Sequence, residues 1–312
     1  RSAKVRFIDQ TNLPERYIKV TTDNKSVLWD AIKKLKFRGA PAIGIAGAFG
    51  VVLGIQKSKS KNFVSFEKEL EKIISYFKTS RPTAINLFWA LDRMKKIALE
   101  NKTDDINYLK HVLLHEAIKI FNEDKHICRR MAQNGSGLIK KGDTILTHCN
   151  AGALATADFG TALGVITSAH HDGKKIKVYV DETRPLLQGA RLTAWELQKE
   201  GVDAILICDN MAASLMAKGK IDKIFVGADR IAKNGDTANK VGTYNLAVLA
   251  DYHKIPFYVV APISSFDFSI EDGSKIPIEE RSPKEITEIR GKRIAPKGIK
   301  VYNPAFDVTP SE

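Results

Sequence analysis

Cys149 lies in the stretch LTHCNAGALAT, where an apolar, strand-like run breaks into a turn of small residues and a helix is expected to begin. A helix start supplies free backbone N–H groups and the positive end of the macrodipole, and both favour a thiolate over a thiol. The plainer alternative is a buried structural cysteine, the commoner fate of a lone thiol. Asp229, in VGADRI, follows a second apolar run and two small residues. A carboxyl partly withdrawn from water there keeps its proton to higher pH and can serve as a general acid. An ion pair with Arg230 or a helix cap is the structural alternative. A thiol and an acid, each at the end of an apolar run, form a more specific pattern than either alone.

Other residues suggest the binding of an anion and of hydroxyl groups. NGDTANKVGTYNLA sets Asn239 and Lys240 at the start of a helix expected over 240–253, where backbone N–H groups and an ammonium can hold an anion. FRGAPAIG sets Arg38 and Gly39 just before a helix of small residues, and TSRPTA sets Arg81 before another. Gln188, at a helix start within VDETRPLLQGARLTAWEL, could donate to sugar hydroxyls. Arg184 and Arg191 in the same stretch read as structural partners of Asp181, Glu182 or Glu196. No metal site is expected. His111 and His115 are spaced i, i+4, but HVLLHE lacks the HExxH order and a third ligand, and His170-His171 precedes an Asp-Gly turn. No Walker lysine and no GxGxxG after a strand supports nucleotide binding.

The elements that must carry these residues fall into two groups. From residue 141 onward, apolar runs at 144–147, 177–180, 204–207, 223–226 and 256–260 alternate with helices expected over 154–169, 188–200, 211–218 and 240–253. That rhythm implies right-handed crossovers and a mainly parallel sheet. Ligands of such sheets sit at the carboxyl ends of the strands. Those ends read His148-Cys149-Asn150, Asp181-Glu182-Thr183-Arg184, Asp209-Asn210, Gly227-Ala228-Asp229-Arg230 and Ala261-Pro262. Upstream, two short strands (4–8 and 16–21) precede helices expected over 26–36, 41–56, 63–76, 83–100 and 107–134. The expected fold is therefore α/β: a Rossmann-like, mainly parallel-sheet domain over 131–312 preceded by a smaller, mostly helical domain over 1–130. The proline-rich tail from residue 264 is expected to wrap the second domain.

Composition narrows the function classes. The sequence has 312 residues and a formal net charge of +13. Its lysines are spread along the chain, without basic runs or interleaved aromatics, so a nucleic-acid partner is not expected. Residues 39–55 are uncharged over 17 positions, at the lower edge of a membrane span, but five glycines and four alanines make a closely packed soluble helix the better reading. No membrane partner is expected. Three scattered cysteines and no apolar leader at the start point to a reducing compartment, the cytoplasm.

RGAPAIG, SRPTA, LTHCNAG with GTALGVI, VYVDETRPLLQGARLTAWEL, DNMAA, VGADRIA, ANKVGTYNLA and YNPAFDVTP occur in the order and spacing of the methylthioribose-1-phosphate isomerases of methionine salvage, which the chain resembles over nearly its whole length. The resemblance implies a cofactor-free, homodimeric enzyme acting on a small sugar phosphate. It puts the family's catalytic cysteine on Cys149 and its catalytic aspartate on Asp229. Its substrate-binding residues fall on Arg38, Gly39, Ala40, Arg81, Gln188, Asn239 and Lys240. Asp229 would protonate the ring oxygen of 5-methylthioribose 1-phosphate, and Cys149 would act as base or as stabiliser of a direct hydride shift. The related ribose-1,5-bisphosphate isomerases and the regulatory subunits of the translation-initiation exchange factor are the alternatives. Family members continue some tens of residues past NPAFDVTP, whereas this sequence stops at Glu312.

Overall fold

A computed structural model describes residues 3–312. The chain packs as two compact units, one made of the residues up to 129 together with 153–159, the other of 130–152 and 160–312.

The first unit opens with an antiparallel pair, β1 (Val5–Ile8) and β2 (Lys19–Thr22), in which Val5 faces Thr22. Five helices follow: α1 (Lys25–Lys33), α2 (Ala40–Ile55), α3 (Phe63–Lys78), α4 (Ile85–Glu100) and α5 (Ile106–Ser136), the last ending in the second unit. Asn24 and Asn62 cap α1 and α3, each accepting a backbone N–H of the first turn through its side chain. The uncharged segment is α2, and it is buried on nearly all sides. Its glycines let neighbours come close. A Cβ at Gly44 would stand 2.8 Å from the Asn86 carbonyl oxygen, one at Gly50 2.3 Å from the Phe77 ring, and one at Gly54 2.7 Å from Ile73. Hydrophobic length without charge here serves helix packing. Among the described residues no helix is long and apolar enough to cross a membrane.

The second unit contains β3 (Thr144–Thr147), α6 (Ala162–His171), β4 (Lys177–Asp181), a π-helical turn (Gly189–Thr193) running into α7 (Ala194–Lys199), β5 (Asp203–Ile207), α8 (Ala212–Ala217) and β6 (Lys223–Val226). Next come β7 (Arg230–Ala232), β8 (Thr237–Lys240), α9 (Thr243–His253), β9 (Phe257–Val259), β10 (Phe266–Asp267), α10 (Lys284–Thr287), the β11 (Glu288–Ile289) and β12 (Lys292–Arg293) hairpin, and β13 (Phe306–Thr309). Five strands form one parallel sheet in the order β5-β4-β3-β6-β9. Successive residues of a strand face opposite ways, and the sheet is filled accordingly. Ile145, Val178, Val180 and Phe225 pack with Leu163, Ile166 and Leu197, whereas Leu146, Ile224 and Val226 pack with Met216, Leu246 and Ala250. Helices thus cover both faces, as the Rossmann-like expectation required.

Two expected helix starts are corrected. The helix expected from residue 154 starts only at Ala162, because the chain first doubles back: a Cβ at Gly160 would lie 2.6 Å from the Cα of Gly152. Residues 153–155 form a single 3-10 turn. The helix expected from residue 240 starts at Thr243, and residues 237–240 form a strand. The tail contributes to a second, four-stranded sheet, β10-β7-β8-β13, in which β13 pairs antiparallel with β8.

Candidate active site

Chain order along the parallel sheet reverses at one place. From β3 the chain moves outward to β4 and β5, and β6 then lies on the other side of β3. The crevice outside the carboxyl ends of the two central strands is the topological switch point, where open parallel sheets bind their ligands. Thr147 of β3 is in register with Phe225 of β6. Cys149 leaves β3 and Asp229 leaves β6 at this edge, and both are half-buried. Arg230, offered by the sequence as a local partner of Asp229, pairs with Asp267 at 3.6 Å. Burial holds the Arg230 guanidinium below its ordinary value, and the Asp267 charge works against that.

Cys149 has a left-handed backbone with φ of 60°. For a residue with a Cβ this conformation costs about 1–2 kcal/mol and persists only where surrounding structure fixes it. The Cys149 N–H donates to Thr183 Oγ1 at 2.8 Å, and the Thr183 hydroxyl donates to the Asp181 carbonyl at 3.0 Å. On the other side, the Thr193 hydroxyl donates to the Cys149 carbonyl at 2.6 Å. Asn150 donates through Nδ2 to Thr193 Oγ1 and, at 2.7 Å, to Glu196 Oε1. Thr183 is itself left-handed, with φ of 65°, and Asp209 accepts both its N–H and that of Arg184 at 2.7 Å. The helix start expected to lower the thiol pKa is absent immediately after Cys149, since only the 3-10 turn follows. Hydrogen bonds to the backbone hold the cysteine instead.

His148, one residue earlier, is buried. Its Nδ1 lies 2.9 Å from Asp181 Oδ2 and its Nε2 3.0 Å from the Val241 carbonyl oxygen. A carbonyl only accepts, so Nε2 carries a hydrogen. Burial opposes charge on His148, but the hydrogen bond to Asp181 and the charges of Asp181 and Asp209 outweigh it and hold the imidazole above its usual range. Burial pushes Asp181 up, and the hydrogen bond and charge of His148 pull against it. His148, Asp181 and Asp209 bring one ligand atom each within 4.8 Å of one another. Hydrogen bonds already engage both ring nitrogens and both Asp209 oxygens, which suits a structural network better than a cation site.

The remaining candidates divide between the two units. In the first, Arg38 donates through Nε to Gln10 Oε1 at 2.9 Å, and Gln10 donates to the Leu154 carbonyl at 2.7 Å. Gly39, with φ of 100°, precedes α2, and a Cβ there would meet the Ala155 backbone at 2.5 Å, so only glycine fits. Ala40 is the first residue of α2. Arg81 follows α3, and its carbonyl accepts the Ala84 N–H at 3.2 Å. In the second unit, Gln188 is buried just ahead of the π-helical turn, and its Oε1 lacks a hydrogen-bond partner. Asn239 donates to Thr243 Oγ1 at 3.0 Å; Lys240 donates to the Ala305 carbonyl at 2.6 Å and lies over the Phe306 ring.

The anion cradle expected at the start of α9 is corrected. Asp307 already accepts the N–H groups of Gly242 and Tyr244, at 2.7 and 3.1 Å. Burial pushes the Asp307 carboxyl above its ordinary value, while those two N–H groups pull it back. Sequence reasoning missed Asp307, Thr183 and Thr193. Asp307 acts across 65 residues and the threonine hydroxyls reach Cys149 across 34 and 44, and no local motif marks such pairings.

The switch point of the parallel sheet, where a thiol and an acid leave the two central strands, is the candidate ligand site. The chain belongs to the initiation factor 2 subunit family, whose model matches residues 36–312. It is 55% identical over 312 residues to the methylthioribose-1-phosphate isomerase of Geotalea uraniireducens, covering 100% of this chain and 90% of that protein. A solved structure of 5-methylthioribose 1-phosphate isomerase from Pyrococcus horikoshii OT3 superposes with a TM-score of 0.90 at 48% identity, over 98% of this chain and 86% of that one. A further relative, 52% identical over 99% of this chain and 88% of its own length, is the 5-deoxyribose 1-phosphate isomerase of Moorella thermoacetica.

Proposed function

We propose that the chain is an aldose–ketose isomerase converting 5-methylthioribose 1-phosphate into 5-methylthioribulose 1-phosphate, the activity for which its relatives are named. The observation that carries this reading is the emergence of Cys149 and Asp229 from neighbouring strands at the switch point. The substrate's anomeric oxygen is blocked by phosphate, so the ring must open by protonation of its own oxygen. Protonated Asp229 donates that proton and the C1–ring oxygen bond breaks. Cys149 as thiolate removes the proton from C2, and the electron pair left behind forms the C1–C2 double bond of an enol phosphate. The thiol returns the proton to C1. The 2-hydroxyl gives up its proton to the Asp229 carboxylate as the C2 carbonyl forms, and both groups end as they began. Arg38, Gly39, Ala40 and Arg81, with Gln188, Asn239 and Lys240, are the substrate-binding residues; Asn239 and Lys240 act through their side chains, since Asp307 fills the adjoining helix start.

A second substrate has support in the relative named for 5-deoxyribose 1-phosphate. The two sugars share the C1 phosphate and differ only at C5, so one catalytic apparatus serves both. The test is ketose formation from 5-methylthioribose 1-phosphate, 5-deoxyribose 1-phosphate and ribose 1,5-bisphosphate side by side. Turnover of the first two, abolished by Cys149→Ser and Asp229→Asn, is expected, with deuterium at C2 of the substrate partly lost to water. Preference for the bisphosphate, or no turnover of any sugar, overturns the reading; full retention of deuterium overturns the role of Cys149 as an exchanging base.

The same reading makes the protein a cytoplasmic homodimer. Supporting it are three cysteines in the free thiol form and an edge strand, β5, that exposes Ile205 and Leu206. Sedimentation at micromolar concentration is expected to give twice the chain mass.

A further inference from the structure

Cys149 is gripped from both sides by hydroxyl groups that no reaction step uses. Thr183 and Thr193 are fully buried, so neither touches bulk water, and each sits at a strand end or turn of its own: Thr183 just beyond β4, Thr193 at the end of the π-helical turn. One accepts the Cys149 N–H, the other donates to the Cys149 carbonyl. Both contacts are made to a left-handed residue, the conformation a cysteine does not keep unaided. The grip is itself anchored. Asp209, beyond β5, fixes the backbone of Thr183, and Asn150 bonds Thr193 while reaching Glu196 on α7. π-helical turns are rare and frequent at functional sites; here the last residue of the turn supplies the hydroxyl that meets the Cys149 carbonyl. A threonine serves better than a serine in such a post, because its β-branch limits the side chain to few rotamers.

We infer that Thr183 and Thr193 are positioning residues for the isomerisation: their hydroxyls hold Cys149 in its left-handed conformation and so fix the direction of its Cα–Cβ bond. This inference rests on the reading of Cys149 as the group that works at C2. Small displacements of a reacting group are expensive in rate while leaving substrate affinity nearly untouched.

The test compares Thr183→Val and Thr193→Val, which keep shape and lose the hydroxyl, with Thr183→Ser and Thr193→Ser, which keep the hydroxyl. The valine variants are expected to lose about ten- to a hundredfold in kcat with KM within threefold of wild type, and the serine variants to recover most of that loss. In a Cys208→Ser background, where Cys149 is the accessible thiol and Cys128 is buried, the pH profile of Cys149 alkylation is expected to shift in the valine variants and to return in the serine ones. If a valine variant does not fold, amide exchange in the wild-type enzyme decides: the Cys149 N–H is expected to be strongly protected, and exchange at the unfolded rate overturns the grip. Valine variants with wild-type kcat, or serine variants no better than valine, overturn the positioning role while leaving the role of Cys149 intact. An active Cys149→Ser enzyme overturns the underlying reading instead.

Discussion

At the scale of single residues, the conformation of Cys149 has a consequence for stability that is independent of catalysis. In ordinary backbone, glycine is about 0.5–1 kcal/mol worse than alanine because it loses more freedom on folding. At φ of 60° alanine instead bears the left-handed penalty of about 1–2 kcal/mol, which glycine escapes. Cys149→Gly is therefore expected to equal or exceed Cys149→Ala in stability, by up to about 1.5 kcal/mol in urea unfolding. A glycine variant less stable than the alanine one by the usual margin contradicts the left-handed assignment. That Cys149 and Asp229 stand just beyond two parallel strands was legible in the sequence, where residue type and place coincided. A lone thiol just past the TILT run, and an acid after VGA, announce strand ends. The two threonines were illegible because a buried hydroxyl looks like any other β-branched residue until the fold brings it to its partner. The local setting of Cys149 was misread for a related reason: small residues after a strand suit a helix start and a doubled-back turn equally, and only the close approach of Gly160 to Gly152 decides.

At the scale of elements, long periodic helices and apolar parallel strands were legible because burial imposes their pattern on the sequence. β7, β8, β10 and β13 were not. They run two to four residues, and β8 reads TANK, with no alternation that marks a strand. Their pairing is settled across the tail by β13 lying against β8. One contact between elements lends itself to a pH experiment. Asp124, on α5, accepts the Ala157 N–H at 2.7 Å and so fastens α5 to the 153–159 segment of the same unit. Burial pushes its carboxyl above the ordinary range, against the bonds from Ala157 and Cys128. The folded state therefore binds this proton more tightly than the unfolded chain does. Its contribution to stability falls as pH rises from about 4, the ordinary aspartate value, through the raised native value. Asp124→Asn removes the titration. Across that window the variant is expected to gain on wild type, read as converging or crossing urea midpoints; parallel midpoints contradict the assignment.

At the scale of the whole molecule, the sheet order alone nominates the candidate edge, because chain order reverses between β3 and β6 and open parallel sheets bind ligands at the carboxyl ends of such strands. The excess of positive charge, +13 over 312 residues, suits attraction of a phosphorylated sugar without specifying where it sits. The division into units was less legible than the sheet, since residues 153–159 pack in the first unit although Cys149 and Gly160 on either side belong to the second. A segment that leaves one core and returns carries no composition signal of its own. The proposed isomerisation requires Cys149 and Asp229 to meet one sugar. The most direct measurement is a crystal structure of Asp229→Asn with 5-methylthioribose 1-phosphate bound. The Cys149 sulfur is expected beside C2 and the side chain at position 229 beside the ring oxygen, each within about 3.5 Å. A sugar bound with either group out of reach contradicts the proposal.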